Sequence, residues 1–264
     1  MTALYDVLAP VLGTSSAILL LVLAVLILLN SDHRFRVVLV YVCWELFATI
    51  GLTFTDLTLH GTSQQIGVVN QTAANALYAR LYWTNDVIVD LLRFVLTTVL
   101  IYKASGAPNR TLGRVLSGLV VAMVVLPFVL FDPAYKESSA LLNDPHPVLP
   151  FGDWILRLKL PRAAWFNSTS QLLNFGAAIL NVILWGALIR SKKRDPQILE
   201  VSIGLGILVT GTAVSYGLRH FSMMTGDFTA TVNLFLNLTQ IGAWLIWCHA
   251  FWPRRASLAA APSP

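Results

Sequence analysis

The sequence predicts an all-α membrane protein, a bundle of seven transmembrane helices with its amino terminus outside and its carboxyl terminus in the cytoplasm. Only 12% of the 264 residues are charged, which is about half the usual share of a soluble domain. Seven apolar stretches are each about 20 residues long, the length of helix that crosses the hydrocarbon core of a bilayer. Basic residues collect at one set of the ends of these stretches, and this bias predicts the orientation.

The predicted spans together form one membrane domain that extends over residues 1–264. The first span begins after Asp6 and lacks both the basic start and the small-residue cleavage site of a signal peptide, so we expect it to be retained. The second reaches outward to about Asp56. The fourth is almost wholly apolar, which predicts a place at the periphery of the bundle. The spans are residues 8–30, 36–57, 82–103, 113–131, 169–190, 198–219 and 230–252.

Two long segments separate the spans on the predicted outer side. Residues 61–80 are rich in Gln, Asn and Thr and are expected to form a polar loop. Residues 132–168 contain five prolines and are expected to form a long outer loop. Loops of this length are often functional, so both a lid and a simple connector remain open.

The orientation follows from the count of basic residues at each set of span ends. The predicted outer side carries six, four of which lie within 132–168, where charge has little influence on orientation. The opposite side carries eleven in short segments, and short basic loops stay in the cytoplasm. The eleven are Arg34, Arg36, Lys103, Arg110, Arg114, Arg190, Lys192, Lys193, Arg194, Arg254 and Arg255.

The third predicted span carries charged residues at helical spacing. Asp86, Asp90, Arg93 and Thr97 follow at i, i+4, i+7 and i+11, which places all of them on one face of a helix. A charge in hydrocarbon costs about 2.5–3.5 kcal/mol on insertion scales, so such groups usually point inward and are paired. Asp90 can pair with Arg93 along the helix. Glu45 of the second span lies at the same predicted depth as Arg93, which predicts a second pair.

Amide and hydroxyl groups form similar stripes on the fifth, sixth and seventh predicted spans. Together with the charged residues they predict a polar cleft that opens outward. The alternative is that these groups only hold neighbouring helices together, which polar side chains in membranes commonly do. The predicted binding residues are Glu45, Asp86, Asp90, Arg93, Asn174, Asn181, Tyr216, Asn233, Asn237 and Gln240.

Several chemistries are disfavoured by the sequence. It contains neither HExxH nor GxSxG, so no catalytic arrangement is recognised and no enzyme is expected. The last span has no lysine that could hold retinal, and the histidines lie at span ends or in loops, where haem ligands are not expected. We therefore predict no cofactor and no metal. A net charge of +5 is explained by the inner loops, so no nucleic acid is expected either.

Aromatic residues and glycines give the chain a resemblance to a set of uncharacterised bacterial seven-helix inner-membrane proteins. The resemblance rests on His33-Arg34-Phe35 with Tyr41, on Tyr82-Trp83, on Gly204-Leu205-Gly206, and on Trp244 and Trp247. It implies the same topology and a bacterial plasma membrane. It implies no activity.

The polar stripes favour a non-enzymatic protein that binds a small solute as a sensor, or carries it as a transporter. In that interpretation Arg93 is the cationic centre of the cleft, and Asp90 and Glu45 are its counter-ions. The expected partners are the lipid bilayer, a small-molecule ligand and a cytoplasmic protein at the basic inner loops. The alternative is a structural or accessory subunit of a membrane complex.

Overall fold

A computed structural model describes residues 2–30, 33–66, 68–105, 110–131, 163–190, 195–222 and 229–252. These ranges form seven α-helices and contain no strand. A short 3-10 turn, His33–Phe35, precedes the second helix. The helices are α1 (Thr2–Asn30), α2 (Arg36–Ile66), α3 (Val68–Ala104), α4 (Arg110–Leu130), α5 (Ala163–Arg190), α6 (Pro196–Ser222) and α7 (Thr229–Phe251).

Six of the helices are long and apolar enough to cross a membrane, namely α1, α2, α4, α5, α6 and α7. The predicted all-α membrane fold is confirmed at this level. Helix α3 is the longest, at 37 residues, but stands outside this set. Its apolar sequence is interrupted by Asp86, Asp90, Arg93 and Lys103.

The helices around the first outer segment are longer than the sequence pattern suggests. The prediction of a polar loop over residues 61–80 is wrong, because α2 continues to Ile66 and α3 already begins at Val68. A helix that leaves the hydrocarbon can continue through polar residues. The alanine-rich sequence of 73–77 also has high helix propensity. Helix α5 begins at Ala163, inside the segment 132–168 expected as a loop. The rest of that segment, 132–162, lies outside the described residues.

The helices form a closed ring with one helix outside it. Around the ring, α1 packs against α2, α2 against α3, α3 against α5, α5 against α6, α6 against α7, and α7 against α1. Across the ring α3 also touches α6. Helix α4 packs chiefly against α3 and α5, and side chains such as Val121 and Val129 are exposed. This confirms the peripheral place that its apolar sequence predicts.

Large aromatic side chains fill the ring beside α7. Tyr41, Trp244 and Trp247 are each at most 1% exposed, and the Tyr41 and Trp247 ring centroids lie 5.8 Å apart. The Trp247 Nε1 donates to the backbone carbonyl of Val201 at 2.9 Å. Gly204 makes this approach feasible, since a Cβ atom there would overlap the indole ring. The core is therefore continuous from α2 through α7 to α6.

Three helix ends meet on the side predicted to be cytoplasmic. Arg34 forms an ion pair with Asp195, with 2.7 Å between Nη1 and Oδ2. Asp195 also accepts hydrogen bonds from the backbone N–H groups of Gln197 and Ile198, so it caps the start of α6. Lys103, near the end of α3, donates to the backbone carbonyl of Arg34. The start of α2, the end of α3 and the start of α6 are therefore held together.

Candidate functional site

A buried guanidinium joins three helices in the middle of the bundle. Arg93 of α3 is 2% exposed, and its Nε donates to the Tyr41 hydroxyl at 3.0 Å. Its Nη1 donates to Asp90 Oδ1 at 2.8 Å and to Thr212 Oγ1 at 3.3 Å. Its Nη2 donates to Glu45 Oε1 at 3.1 Å. These four hydrogen bonds connect α2, α3 and α6, and we call the five residues the Arg93 network.

Helical spacing explains how these side chains converge. Tyr41 and Glu45 are four residues apart on α2, and the Tyr41 hydroxyl donates to Glu45 Oε1 at 2.7 Å. Asp90 and Arg93 are three residues apart on α3. Both predicted pairs, Asp90 with Arg93 and Glu45 with Arg93, are confirmed. The predicted inward direction of Asp90 and Arg93 is confirmed as well, since both are buried.

The Arg93 network carries unequal numbers of acidic and basic groups. Glu45 and Asp90 supply two carboxylates, whereas Arg93 supplies one guanidinium. Asp90 is fully buried and the Glu45 side chain is 13% exposed. With all three groups ionised the network has an excess of one negative charge, and an uncompensated buried charge is strongly unfavourable.

Helix α5 presents polar side chains to Asp90, whose Oδ1 is already bonded to Arg93. Ser170 and Asn174 are fully buried and lie within hydrogen-bonding reach of the Asp90 carboxyl group, yet Asp90 Oδ2 and Ser170 Oγ complete no hydrogen bond of ordinary geometry. Asn174 Nδ2 donates to the backbone carbonyl of Ser170 at 2.9 Å. Asp90 Oδ2, Ser170 Oγ and Asn174 Oδ1 have no hydrogen-bond partner among the residues described, and Thr169 Oγ1 and Asn181 Oδ1, elsewhere on α5, have none either. Buried polar atoms are nearly always bonded, so these oxygens are exceptional within the described core.

Polar contacts continue from the Arg93 network toward the predicted outer ends of α2 and α3. Trp44 Nε1 donates to Asn85 Oδ1 at 3.2 Å, and Asp86 is half-buried one turn beyond Asp90. Farther out, burial and the negative charge of Asp56 raise the pKa of Tyr78 above its usual value. The negative charge of Asp56 therefore acts on Tyr78 across the outer part of this helix pair.

The remaining predicted binding residues lie apart from the Arg93 network. Asn181 is 4% exposed and faces Gly206 of α6, while Tyr216 is buried one turn beyond Thr212. Asn233, Asn237 and Gln240 are half-buried on α7. The hydrogen bonds of the Arg93 side chain go to α2, α3 and α6, so none of these amides belongs to the network.

Two cavities lined by described residues also lie away from Arg93. One has a volume of about 490 Å³ and lies at the inner end, beside Asp195 and Phe251. The other has a volume of about 550 Å³ and lies between α3 and α4, beside Val99 and Val120. The unpartnered oxygens near Asp90 line neither of them.

Sequence patterns contain a signal for three site residues that the predicted set omits. Tyr41 precedes Glu45 by one helical turn, and Ser170 precedes Asn174 by the same spacing, so each shares a face with a predicted residue. Thr212 lies on the polar face of α6. The available signal was therefore a polar side chain one turn from a predicted residue for Tyr41 and Ser170, and the shared polar face of α6 for Thr212.

The described ranges contain no group of three His, Cys, Asp or Glu residues arranged to hold a metal ion. Comparison of the chain with known protein families, with curated proteins and with solved structures finds no match.

Proposed function

We propose that this is a non-enzymatic membrane protein that binds a small solute in the polar layer around Asp90, as a sensor or a transporter. The observation that carries the proposal is the Arg93 network with the unpartnered oxygens of α5 beside it. A purely structural ion pair is most stable when every buried polar atom has a partner. Buried carboxylate, amide and hydroxyl oxygens without partners are unusual, and a bound solute would supply the missing partners.

The proposal includes seven spans, with α3 as the one that the apolar pattern alone does not identify. Near one end of α3, Tyr78 is within the electrostatic influence of Asp56 of α2, and near the other end Lys103 bonds to the Arg34 carbonyl. The distance from Tyr78 to Lys103 is about 38 Å at 1.5 Å per residue. This exceeds the ~30 Å hydrocarbon core. The distribution of basic residues supports an amino terminus outside, and the resemblance supports a bacterial plasma membrane.

Thiol labelling tests whether α3 crosses the membrane. Leu57 at the end of the α2 span and Arg110 at the start of α4 are both exposed, and α3 lies between them in the chain. With Cys43 and Cys248 replaced by Ala, single Leu57→Cys and Arg110→Cys variants are treated in intact cells with a membrane-impermeant thiol reagent. Labelling of Leu57→Cys alone supports both the crossing and the orientation. Equal labelling of the two variants in intact cells contradicts the seventh span.

The Arg93 side chain takes a different role here from the one that its charge suggests. All but one of its N–H groups are directed at acceptors of the protein, so little of the guanidinium remains for a solute. We infer that Arg93 positions Asp90 and Glu45, and that the solute meets Asp90, Ser170 and Asn174. In a transporter these residues would release the solute to the other side, whereas in a sensor their occupancy would be passed to a protein at the basic inner ends.

An accessory subunit of a membrane complex is the second candidate. The extensive bonding of Arg93 favours it, because such networks also serve only to hold helices together. Thermal unfolding of the detergent-purified protein with and without a library of metabolites separates the two. A solute that raises Tm in the parent protein, but not in Asn174→Leu, supports the binding function. Absence of any shift, together with co-purification of one fixed partner, supports the subunit.

A further inference from the structure

We propose that the unpartnered oxygens between α3 and α5 bind a small monovalent cation, Na⁺ or a proton, with Asp90 Oδ2 as the central ligand and Ser170 Oγ and Asn174 Oδ1 beside it. The inference rests on the proposed function and names the class of ligand for the same site. Three observations support the inference: the unpartnered atoms are oxygens, the Arg93 network has an excess negative charge, and the N–H groups of Arg93 are directed at other protein acceptors.

The chemistry of the unpartnered atoms determines the sign of the charge on the ligand. Asp90 Oδ2 and Asn174 Oδ1 can only accept, and the hydroxyl oxygen of Ser170 has lone pairs to offer. An anionic solute would need a free cationic donor, but Arg93 directs its N–H groups to Tyr41, Glu45, Asp90 and Thr212. Carboxylate, amide and hydroxyl oxygens are the ligands that hard cations prefer. The site therefore suits a cation.

The charge of the surroundings determines the valence of the ligand. The excess of one negative charge in the Arg93 network is neutralised by one monovalent cation, whereas a divalent ion would leave an excess positive charge in a fully buried place. A proton on Asp90 Oδ2 would serve equally, because the resulting O–H group could donate to Asn174 Oδ1 or Ser170 Oγ. The two cations are thus expected to compete for one oxygen.

Few other titratable groups face Asp90 in the part of the bundle that the structure describes. Helices α5, α6 and α4 present side chains without ionisable groups near its depth, such as Ser170, Thr212 and Met123. The titratable groups that face it from α2 and α3 are Glu45, Tyr41, Arg93 and, one turn outward, Asp86. A change of cation binding with pH that disappears in Asp90→Asn is therefore assigned to the Asp90 carboxyl group.

The experiment measures Tm of the detergent-purified full chain in NaCl and in N-methylglucamine chloride at equal ionic strength, over a range of pH. We expect Na⁺ to raise Tm by roughly 5–10 °C at about 100 times its Kd, and the shift to shrink as the pH falls. Asp90→Asn should remove the Na⁺ shift because the amide supplies the neutral state permanently. Ser170→Ala should weaken the apparent Na⁺ affinity on the order of tenfold.

A matched control is available on α3. Thr98 is 5% exposed and its hydroxyl already donates to the Phe94 carbonyl, so Thr98→Ala should leave the Na⁺ shift unchanged. If Asp90→Asn fails to fold, the comparison of Ser170→Ala with Thr98→Ala carries the test. A pH effect without a Na⁺ effect, lost in Asp90→Asn, supports the proton as the cation. A Tm indifferent to Na⁺, with the same pH dependence in the parent and in Asp90→Asn, overturns the inference.

The same measurements distinguish failure of the inference from failure of the proposed function. If a solute from the metabolite library raises Tm while neither Na⁺ nor pH acts through Asp90, the cation is wrong and the binding function stands. If nothing raises Tm, and Ser170→Ala only stabilises the fold by removing an unpaired hydroxyl, both are overturned.

Discussion

Arg93 Nη2 lies 3.1 Å from Glu45 Oε1, which joins the middle of α3 to the middle of α2 across 48 residues of sequence. Asp90 shares the same guanidinium from α3 itself. Two carboxylates thus depend on one positive charge, and the three groups are not interchangeable. This asymmetry has consequences that mutagenesis can measure.

Arg93→Gln should cost much more stability than removal of either acidic partner. It leaves Glu45 and Asp90 buried without a counter-charge, and breaking a buried pair in this way costs about 3–5 kcal/mol. Glu45→Gln or Asp90→Asn leaves one neutral ion pair. We expect little monodisperse protein from Arg93→Gln and near-normal yield from the others in size-exclusion chromatography. Combining all three substitutions should restore folding, and similar losses for every single variant would contradict this charge balance.

Tyr41→Phe should lower the free energy of unfolding by about 1.5–3 kcal/mol, the usual contribution of hydrogen bonds to charged groups. The hydroxyl accepts from Arg93 and donates to Glu45, while the ring would keep its packing against Trp247. Tyr102 is 37% exposed and gives the control, since Tyr102→Phe should change Tm little. Equal Tm values for the two variants would show that the hydroxyl bridge contributes nothing.

Two glycines of α6 should respond to alanine in opposite directions. A Cβ at Gly204 would overlap the Trp247 indole, so Gly204→Ala should destabilise by about 1–3 kcal/mol, as overpacked cores do. A Cβ at Gly217 meets no atom within 4 Å, so Gly217→Ala should stabilise the helix by about 0.5–1 kcal/mol. Thermal unfolding of both variants checks the sign. A Gly204→Ala protein as stable as the parent would show that the Trp247 indole does not pack against residue 204.

Asp195→Ala should lower stability by about 0.5–2 kcal/mol through loss of the cap of α6. The ion pair with Arg34 should add little, because the Arg34 side chain is 56% exposed and exposed pairs contribute about 0–1 kcal/mol. Asp195→Asn keeps the cap and loses the charge, while Arg34→Ala loses only the pair. Tm should therefore fall most for Asp195→Ala. A larger fall for Arg34→Ala would make the ion pair the dominant interaction.

Much of the Arg93 network could be predicted from depth and helical spacing. Glu45 and Arg93 lie at similar distances from the basic ends of their helices, and a charge in hydrocarbon must find a partner, so their pairing followed. The same reasoning could not place the amides of α7. Asn233, Asn237 and Gln240 share a face by spacing, but spacing does not say which neighbour that face meets. The structure leaves them half-buried and outside the network.

By itself, the sequence determined that the chain is a bundle of apolar helices with charges turned inward, because hydrocarbon excludes unpaired charge and unbonded backbone groups. Only the tertiary structure decided which helices adjoin, since helix packing depends on the fit of side chains from distant segments. That fit placed Ser170 and Asn174 of α5 beside Asp90 and turned Tyr41 and Thr212 toward Arg93. The guanidinium is therefore surrounded by protein acceptors, and the second carboxylate oxygen of Asp90, with Ser170 and Asn174 of α5 beside it, is left without a hydrogen bond.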